Sequence, residues 1–430
     1  MFARRIAVIG SGYVGLTTGA CLASLGHRVV CADIDAAKVE RLRRGEVDIL
    51  EPGLPELVTE NRAAGRLEFV LGASEAVRDG VEVVFLCVPT PMGEGGAADL
   101  RVVRAVIAEI RHLLPAGCVV VNKSTVPVGT AEATLRLLDR DDVAVVSNPE
   151  FLREGSAVHD FLHPDRIVVG SDAQDAAERV AALYAKLGAP TVLTDAASAE
   201  MVKYAANCFL AMKLSYVNAL AELCDVLSAD VRDVTEGMGY DKRIGQAFLQ
   251  PGPGWGGSCL PKDTNALVQV AAAVGREIPL VSASIATNER QRTLMVDKIR
   301  AAVGGDVAGA RIGLLGLTFK AGTDDLRDSP ALAVAQLLHA EGAELTAHDP
   351  GCPTDVPGVT DAVTVVDEPL LAAKDADALV VLTEWPEFRA LDWAAVAGVM
   401  GNRIVVDTRN LLDPDVLRRA GLAWVGVGRR

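Results

Sequence analysis

The 430-residue sequence lacks several features that would assign it to particular classes of protein. No apolar run reaches the 18 or more residues of a membrane-spanning helix, so no membrane partner is expected. Basic residues are not in excess: 57 acidic and 42 basic side chains give a net charge of −15, which disfavours nucleic acid and anionic membranes as partners. The eight cysteines include no C-x-x-C pair, so the pattern indicates neither a zinc site nor a redox pair, and no metal is expected.

What is present indicates a folded chain of two or three domains. The apolar fraction of 50% and the charged fraction of 23% are ordinary for globular proteins, and 430 residues exceed a single ordinary core. The first ten residues pass directly into a strand and glycine pattern without the features of a secretory signal, so a cytoplasmic location is expected. The acidic balance does not oppose an anionic small ligand, because a few placed lysines or arginines suffice for one.

The first 150 residues alternate short β-branched runs with helical patterns. Strands that are apolar throughout and joined by helices predict a parallel sheet covered on both faces. The predicted strands are 6–9, 28–32, 83–88, 119–122 and 143–147, and the helical patterns include 15–25, 36–44 and 100–113.

A different pattern follows from residue 196 to about 227, where an Ala/Leu-rich segment without Gly or Pro predicts a long helix that connects two domains or two subunits. A Gly/Pro-rich stretch at 250–261 interrupts the helical region, which resumes to about 302 and ends at Gly304-Gly305. Strand–helix alternation restarts at 311–317, with a helix opening at Ser329-Pro330. Further strands are predicted at 344–347, 378–382 and 403–406, so two α/β units flank a helical middle region.

The first motif with chemical content is Gly10-Ser11-Gly12-Tyr13-Val14-Gly15, between the first strand and the first helix. Its glycines permit a tight turn and close approach of the backbone to a pyrophosphate, whose charge the helix N-terminus stabilises. Asp33 ends the second strand, where an acid accepts hydrogen bonds from a ribose 2′-OH and repels a 2′-phosphate. The motif therefore predicts NAD rather than NADP, although the nearby Lys38 weakens the discrimination; a glycine turn without a ligand is the alternative.

The second motif is the glycine-rich loop that contains Cys259, followed by Lys262 and Asp263. Exposure and a nearby ammonium group lower the pKa of a thiol and make it nucleophilic. The alternative from spacing alone is a structural cysteine before a helix start.

Further candidates lie on the long helix and after strand ends. Lys203 and Asn207 are four residues apart and share a helix face, where a desolvated lysine can stabilise an oxyanion; a lysine with its stem buried and its ammonium in water is the alternative. The stretches 89–91, 123–129 and 148–154 follow strand ends, where α/β sheets bind ligands, although their residues also favour turns. Lys320 and Arg327 follow the first strand of the second α/β unit, where basic side chains can bind phosphates. Solvated loop charges are the alternative.

Taken together, these residues resemble the UDP-glucose 6-dehydrogenase family over nearly the whole chain. The resemblance implies an α/β fold of two Rossmann-like doubly wound parallel-sheet domains joined by a long central helix and a helical middle domain. It implies an NAD-binding domain at 1–195, a central dimerisation domain at 196–304 and a UDP-sugar-binding domain at 305–430. The stretches that carry it are 10–15 with Asp33, 123–127, 148–154, Lys203 with Asn207, 241–245, 256–263, 316–327 and 406–410.

The resemblance also implies NAD-dependent oxidation of UDP-glucose to UDP-glucuronate through a thiohemiacetal and a thioester. Cys259 would be the nucleophile, Lys203 and Asn207 would stabilise the oxyanion, Thr125 and Asp263 would position water and assist proton transfer, and Glu150 would be the base in thioester hydrolysis. The implied NAD contacts are Gly10, Gly12, Tyr13, Val14, Gly15, Asp33, Lys38, Pro89, Thr90, Thr125, Glu154, Lys262 and Arg327. The implied contacts to the nucleotide sugar are Glu150, Phe151, Leu152, Lys203, Asn207, Arg243 from a partner subunit, Phe248, Leu249, Gln250, Pro251, Gly252, Gly256, Cys259 and Lys320.

This chemistry fits the residues, because an alcohol oxidised twice needs a group that holds the aldehyde between the two hydride transfers. Gln250 departs from the pattern, since some members of the family have a lysine there. Sister families that oxidise GDP-mannose or UDP-N-acetylmannosamine share the cysteine motif and remain alternatives, although the stretches 243–245 and 248–254 look more like the UDP-glucose branch. A non-catalytic NAD-binding sensor on the same scaffold is the alternative from another class. A homodimer is expected.

Overall fold

A computed structural model describes residues 3–429 with the exceptions of 79, 357 and 360, and of Glu94 it describes the backbone only. The chain divides into two units, Met1–Ala206 with Asn265–Arg276 and Asn207–Thr264 with Glu277–Arg430. Each unit contains one β-sheet.

Among the described residues, the sheet of the first unit consists of the strands β1 (Arg5–Ile9), β2 (Arg28–Asp33), β3 (Leu67–Leu71), β4 (Val83–Leu86), β5 (Val119–Asn122), β6 (Ala144–Ser147), β7 (Ile167–Gly170) and β8 (Thr191–Thr194). Their order is β3-β2-β1-β4-β5-β6-β7-β8, and neighbours are parallel except at the single pairing of β6 with β7. In register, Val8 lies opposite Cys31 and Phe85. The strand order reverses direction at β1, between β2 and β4, and sheets of this type bind ligands at such a point.

Helices cover both faces of this sheet because its central strands β1, β4 and β5 are apolar at nearly every position. Ile6 and Val8 pack on one face with Leu16, whereas Ala7 and Ile9 pack into a separate cluster on the other face. The helices of this unit are α1 (Tyr13–Ser24), α2 (Ala36–Arg44), α3 (Leu54–Ala63), α4 (Ala73–Ala76), α5 (Arg101–Ile110), α6 (Thr130–Leu138), α7 (Ala157–Leu162) and α8 (Gln174–Leu183).

The middle of the chain is helical. It contains α9 (Ala196–Leu227), α10 (Val231–Gly239), α11 (Leu260–Ala273) and α12 (Pro279–Ala302). The long helix α9 begins in the first unit and ends in the second, whereas α11 begins in the second unit and ends in the first. No helix in the described part of the chain is long and apolar enough to cross a membrane.

The second unit repeats the central strand order of the first. Its sheet has the order β11-β10-β9-β12-β13-β14, which matches β3-β2-β1-β4-β5-β6 position by position. The strands are β9 (Arg311–Leu315), β10 (Glu344–His348), β11 (Thr364–Val365), β12 (Ala378–Val381), β13 (Ile404–Asp407) and β14 (Ala423–Val425), and the helices are α13 (Pro330–Ala340), α14 (Pro369–Ala373), α15 (Trp393–Val399) and α16 (Pro414–Arg419). The expected fold class, two Rossmann-like doubly wound sheets with a helical middle region, is confirmed.

Several predicted element bounds agree closely with the structure. The helix at 196–227 has the predicted ends, as does the helix at 36–44, and the Ser329 hydroxyl caps α13 by accepting from the Leu332 N–H. The sequence patterns missed β3, β7, β8, β11 and β14.

Candidate active site

In the first unit, the glycine loop after β1 has the shape that a dinucleotide requires. Gly10 has a positive φ of 94°, and a Cβ there would lie 2.6 Å from the Cys87 carbonyl oxygen, so only glycine fits. A Cβ on Gly15 would clash with the Gly10 carbonyl, whereas Gly12 faces open space. No side chain among the described residues caps the first turn of α1, and that turn contains no acid. Its N–H groups are therefore suited to hold a pyrophosphate.

Asp33 lies beside this loop at the end of β2. Its carboxylate accepts hydrogen bonds from the Ser11 N–H at 3.0 Å and the Ser11 hydroxyl at 2.6 Å, and Lys38 lies 3.8 Å away. Burial alone would raise the pKa of Asp33, but the hydrogen bonds from Ser11 and Asp35 and the Lys38 ammonium hold it below its usual value. The group is therefore an anion at neutral pH, which suits its predicted role of accepting hydrogen bonds from a ribose.

Replacing Asp33 with alanine is expected to narrow the preference for NAD over NADP. A hydrogen bond to a charged group contributes about 1.5–3 kcal/mol, so kcat/KM with NAD should fall roughly tenfold or more while that with NADP falls less. Steady-state kinetics with both cofactors measures the ratio. Asp35→Ala is the matched control, because Asp35 caps α2 instead of facing the loop. Equal use of NAD and NADP by the unmodified protein would contradict this role for Asp33.

The loops after β4 and β5 are tied together at the same edge of the sheet. The Thr90 hydroxyl donates to the Thr125 carbonyl at 2.9 Å, and the Ser124 hydroxyl donates to the Val88 carbonyl at 2.7 Å. The loop after β4 also carries Pro89 and begins at Cys87, which contacts Gly10. The structure therefore brings the predicted cofactor residues of three strand ends to one edge.

Glu150 and Lys203 form a buried ion pair in this unit. The Lys203 ammonium lies 2.9 Å from one Glu150 oxygen, and the other oxygen accepts from the Leu152 N–H at 2.6 Å. Both side chains are at least 94% buried, and Phe151 lies next to the Lys203 ammonium, with its ring centroid 5.4 Å away. Burial alone would raise the pKa of Glu150, but Lys203 and Lys123 hold it below its usual value. The predicted base is therefore an anion with one of its two oxygens held by an ammonium.

Sequence patterns missed two buried acids that hold these loops. Glu200 accepts from the Gly129 and Ala131 N–H groups at 2.7 and 2.8 Å, and so fixes the loop that carries Thr125. Its spacing of three residues from Lys203 and seven from Asn207 on α9 was a detectable signal. Glu51 accepts from the Tyr13 hydroxyl, which in turn accepts from the Gly155 N–H at 2.8 Å. The Tyr13 side chain thus joins α1 to the loop that carries Glu154.

In the second unit, polar side chains of α9 and α12 hold the glycine-rich loop before Cys259. Asn218 accepts from the Gly252 N–H, Asn288 bonds both the N–H and the carbonyl of Trp255, and Gln291 donates to the Gly252 carbonyl, all at 2.8–2.9 Å. These buried amides therefore fix the backbone of the loop at Gly252 and Trp255, a few residues before Cys259.

Close approach explains two glycines of this loop. A Cβ on Gly256 would clash with the Asp328 carbonyl, and one on Gly257 would lie 2.7 Å from the Phe319 ring. Gly257 also has a positive φ of 79°. The loop therefore packs against the segment that follows β9 and carries Lys320, whose ammonium lies 5.5 Å from the Phe319 ring centroid.

Cys259 immediately precedes α11 and differs from the other cysteines. All eight cysteines lie in described residues; seven are buried and Cys259 is partly exposed. Its sulfur lies 3.6 Å from the Ser258 hydroxyl, and its carbonyl accepts from the Asp263 N–H at 2.9 Å. A helix N-terminus stabilises an anion, so this position favours the thiolate form of Cys259.

Asp263, one turn into α11, is fully buried and has a partner on each carboxylate oxygen. Lys262 donates to one oxygen at 2.5 Å and Asn207 to the other at 2.6 Å. Lys203 and Asn207, one turn apart on α9, therefore each hold a buried carboxylate: Glu150 in the first unit and Asp263 in the second. The predicted oxyanion residues thus have carboxylate partners that spacing alone did not show.

Other residues of this unit were predicted to contact the nucleotide sugar or, for Arg327, NAD. Arg243 forms a bidentate pair with Asp241, at 3.0 and 2.6 Å, and its side chain is 89% exposed. Arg327 pairs in the same way with Asp325. Leu249, Pro251, Gly252 and Gly256 are buried, Gln250 is exposed, and Phe248 has a positive φ of 63°. Their contacts with NAD or substrate stay predictions.

A dinucleotide-binding α/β unit and a second α/β unit of the same central strand order are typical of a nucleotide-dependent dehydrogenase. Three parts of the chain match the UDP-glucose/GDP-mannose dehydrogenase family: residues 4–188 its NAD binding domain, 197–290 its central domain and 313–414 its UDP binding domain. The chain belongs to this family.

The chain is similar to known proteins over its full length. It is 46% identical to the UDP-glucose 6-dehydrogenase of Rhizobium meliloti, over 99% of both chains, and 42% identical to the UDP-glucose 6-dehydrogenase TuaD of Bacillus subtilis, over 99% of this chain and 93% of that one. Among solved structures, a UDP-glucose dehydrogenase from Pyrobaculum islandicum superposes with a TM-score of 0.91 at 38% identity, covering 100% of this chain and 98% of the other. The UDP-D-ManNAc dehydrogenase of Pyrococcus horikoshii superposes with a TM-score of 0.89 at 29% identity, covering 99% of each.

Proposed function

We propose that this protein is an NAD-dependent enzyme that oxidises UDP-glucose to UDP-glucuronate in two steps, with Cys259 holding the intermediate. The observation that carries the proposal is the partly exposed thiol at the start of α11, followed by the buried Lys262–Asp263–Asn207 cluster. Relatives named UDP-glucose 6-dehydrogenase are 37–46% identical over 99% of this chain, which supports the choice of substrate. NAD, when bound at the glycine loop, supplies the hydride acceptor for both oxidations.

The first oxidation converts the C6 alcohol of the sugar to an aldehyde. The alcohol loses a hydride and a proton, and Asp263 with Thr125 assists the proton transfer through a positioned water. The Cys259 thiolate then attacks the aldehyde carbon, a C–S bond forms, and the oxygen becomes an anion that the Lys203 ammonium and the Asn207 amide stabilise before it is protonated.

The second oxidation and the hydrolysis complete the reaction. The thiohemiacetal loses a hydride and its hydroxyl proton and becomes a thioester on Cys259. Glu150 takes a proton from water, the water oxygen attacks the thioester carbonyl, and the C–S bond breaks to regenerate the Cys259 thiolate. The product is the carboxylate of UDP-glucuronate. The pKa of Glu150 lies below its usual value, so the carboxylate is ionised and available to accept a proton.

The substrate assignment is tested by comparing kcat/KM for UDP-glucose, GDP-mannose and UDP-N-acetylmannosamine with NAD. We expect UDP-glucose to be the best substrate by a wide margin. A preference for either of the other two sugar nucleotides would assign the chain to a sister branch of its family. Binding of NAD without turnover of any of the three would favour a non-catalytic sensor.

We also propose that the protein is a homodimer joined along α9, a helix of 32 residues and about 48 Å. Phe209, Tyr216 and Leu223 are seven residues apart and 55–59% exposed, and Val226 and Leu227 are more than 70% exposed. An apolar stripe with a heptad repeat is the pattern of two helices that pack against each other, so a second copy of α9 fits it. The division into three functional domains, 1–195, 196–304 and 305–430, is part of this proposal. The cytoplasmic location stays a prediction.

Introducing charge into this stripe is expected to separate the subunits. Phe209→Lys with Tyr216→Lys places two ammonium groups on each copy of the interface, where unpaired buried charge costs several kcal/mol. Sedimentation equilibrium should give a 90-kDa species for the unmodified protein, twice the chain mass of 45.1 kDa, and a monomer for the double variant. Val274→Lys, at a position 70% exposed outside α9, is the control that should stay dimeric. A monomeric unmodified protein would contradict the proposal.

A further inference from the structure

Lys123 is a buried ammonium that the proposed reaction does not use. It directly follows β5 in the first unit and is buried. Its Nζ donates to the Asn148 side-chain oxygen at 3.2 Å and lies 5.6 and 6.0 Å from the ring centroids of Tyr184 and Phe161. Burying a charge is costly unless it interacts with a partner of opposite charge, and the acid near it is Glu150.

Asn148 connects Lys123 to the loop of the proposed base. Its side-chain oxygen accepts from both Lys123 and the Tyr184 hydroxyl, the latter at 2.6 Å, and its amide donates to the Val168 carbonyl at 2.7 Å. Every polar atom of the Asn148 side chain therefore has a partner that fixes its direction. Glu150 lies two residues further on, after Pro149, so the same contacts fix the start of its loop.

Two ammonium groups act on the single Glu150 carboxylate. Lys203 contacts it directly at 2.9 Å, and Lys123 is the second positive charge that lowers its pKa. Two cations and one anion in a buried cluster give one uncompensated positive charge. Since only one ammonium is needed to balance Glu150, the other can lose its proton without leaving the carboxylate unpaired.

We propose that Lys123 is a positioning residue that controls Glu150: in its charged form it holds the carboxylate as a weak base, and in its neutral form it releases a stronger base for thioester hydrolysis. This inference rests on the proposed role of Glu150. The bonds made and broken in the hydrolysis are the same in both charge states of Lys123: water gives a proton to Glu150, its oxygen bonds to the carbonyl carbon, and the Cys259 thiolate leaves.

Lys123 changes its charge at a pH at which the enzyme can be assayed. Burial lowers the pKa of Lys123 to about 8; the neighbouring Glu150 carboxylate acts to raise it and the Lys203 ammonium to lower it. Burial also raises the pKa of the Cys87 thiol to about 12 and raises that of Tyr184, so both are neutral at pH 8. The ionised groups next to Lys123 at that pH are therefore Glu150 and Lys203. The remaining charged or titratable groups that line the adjoining cavity are Arg153, His159, Asp160, His163, Asp165 and Arg166.

The sign of the effect follows from these charges. Below pH 8 Lys123 is positive and lowers the proton affinity of Glu150; above pH 8 that charge is lost, the pKa of Glu150 rises, and the carboxylate becomes a better base. One neighbouring charge shifts a carboxyl pKa by about 1–3 units. With about half of that change expressed in the rate of a general-base step, hydrolysis should accelerate about three- to thirtyfold as pH rises through 8.

The test is the decay rate of the Cys259 thioester as a function of pH, measured by rapid quench and mass spectrometry with UDP-glucose and NAD. The thiol is acylated in this step, so its own titration does not enter. The unmodified enzyme should show a step near pH 8, after subtraction of the Glu150→Gln rate, which reports hydroxide alone. Lys123→Met should have no step, and Lys123→Arg, which keeps its charge throughout, should remain at the low-pH rate. Lys186→Met, at an exposed lysine, should keep the step.

A merely structural role for Lys123 predicts a different result, in which Lys123→Met lowers the rate equally at every pH and keeps the step. That result, or a flat profile for the unmodified enzyme, overturns the inference. If Lys123→Met does not fold, the profiles of Lys123→Arg and of the unmodified enzyme decide: a step in Lys123→Arg contradicts the inference. Failure of the proposed function is seen separately, as the absence of any adduct on Cys259.

Discussion

Cys259→Ala is expected to remove net turnover while leaving the binding of NAD and UDP-glucose largely intact. The thiol is the group that forms a bond to the substrate, and loss of a nucleophile typically lowers the rate by several orders of magnitude, here on the order of 10³-fold or more. NAD binding should survive because the glycine loop and Asp33 belong to the first unit, whereas Cys259 belongs to the second.

The measurement combines NADH formation with calorimetric titration of both ligands. Cys352→Ala is the matched control, since that thiol is buried and its pKa is raised by burial to about 11. It should keep near-normal activity. A Cys259→Ala enzyme that makes UDP-glucuronate at a similar rate to the control would remove the covalent mechanism.

Glu150→Gln is expected to stop the reaction after both hydride transfers. The glutamine keeps the shape of the side chain, and its oxygen still accepts a hydrogen bond from Lys203 or the Leu152 N–H, but it cannot take a proton from water. General-base assistance contributes about 10²–10⁴-fold, so the steady rate should fall by that amount. The sugar acid should remain bound to Cys259.

Two readouts separate this outcome from a loss of folding. A burst of NADH should appear in the first turnover, and the mass of the enzyme should increase by that of the acyl group. Glu178→Gln, an exposed position on α8, is the matched control and should give neither. Unchanged steady turnover of Glu150→Gln without an adduct would make Glu150 a turn residue only.

The sequence predicted the central strands better than the edges of the sheets, for a physical reason. Central strands such as β1 and β12 are buried at nearly every position and read as continuous apolar runs. The strands β3, β8, β11 and β14 lie at sheet edges, and they are short or largely exposed, so their patterns are weak. The omission of β7 has no such reason, because its four residues are all buried and apolar or glycine.

The sequence indicated individual candidate residues, but it did not show which of them contact one another. Spacing on one helix placed Lys203 and Asn207 on a common face, which the structure confirms. Their partners Glu150 and Asp263 come from distant parts of the sequence, and only tertiary structure brings such groups together. Glu51 gave no signal, since Glu51-Pro52-Gly53 reads as a turn; its contact with Tyr13 arises from the packing of α1 against the loop after α2.

The most direct test of the four-electron oxidation is the number of NADH molecules formed per UDP-glucose when the sugar nucleotide is limiting and NAD is in excess. The proposed reaction predicts two NADH and one UDP-glucuronate for each UDP-glucose, with no free aldehyde, because Cys259 retains the intermediate between the two oxidations. One NADH per UDP-glucose with release of the aldehyde, or no NADH at all, would contradict it.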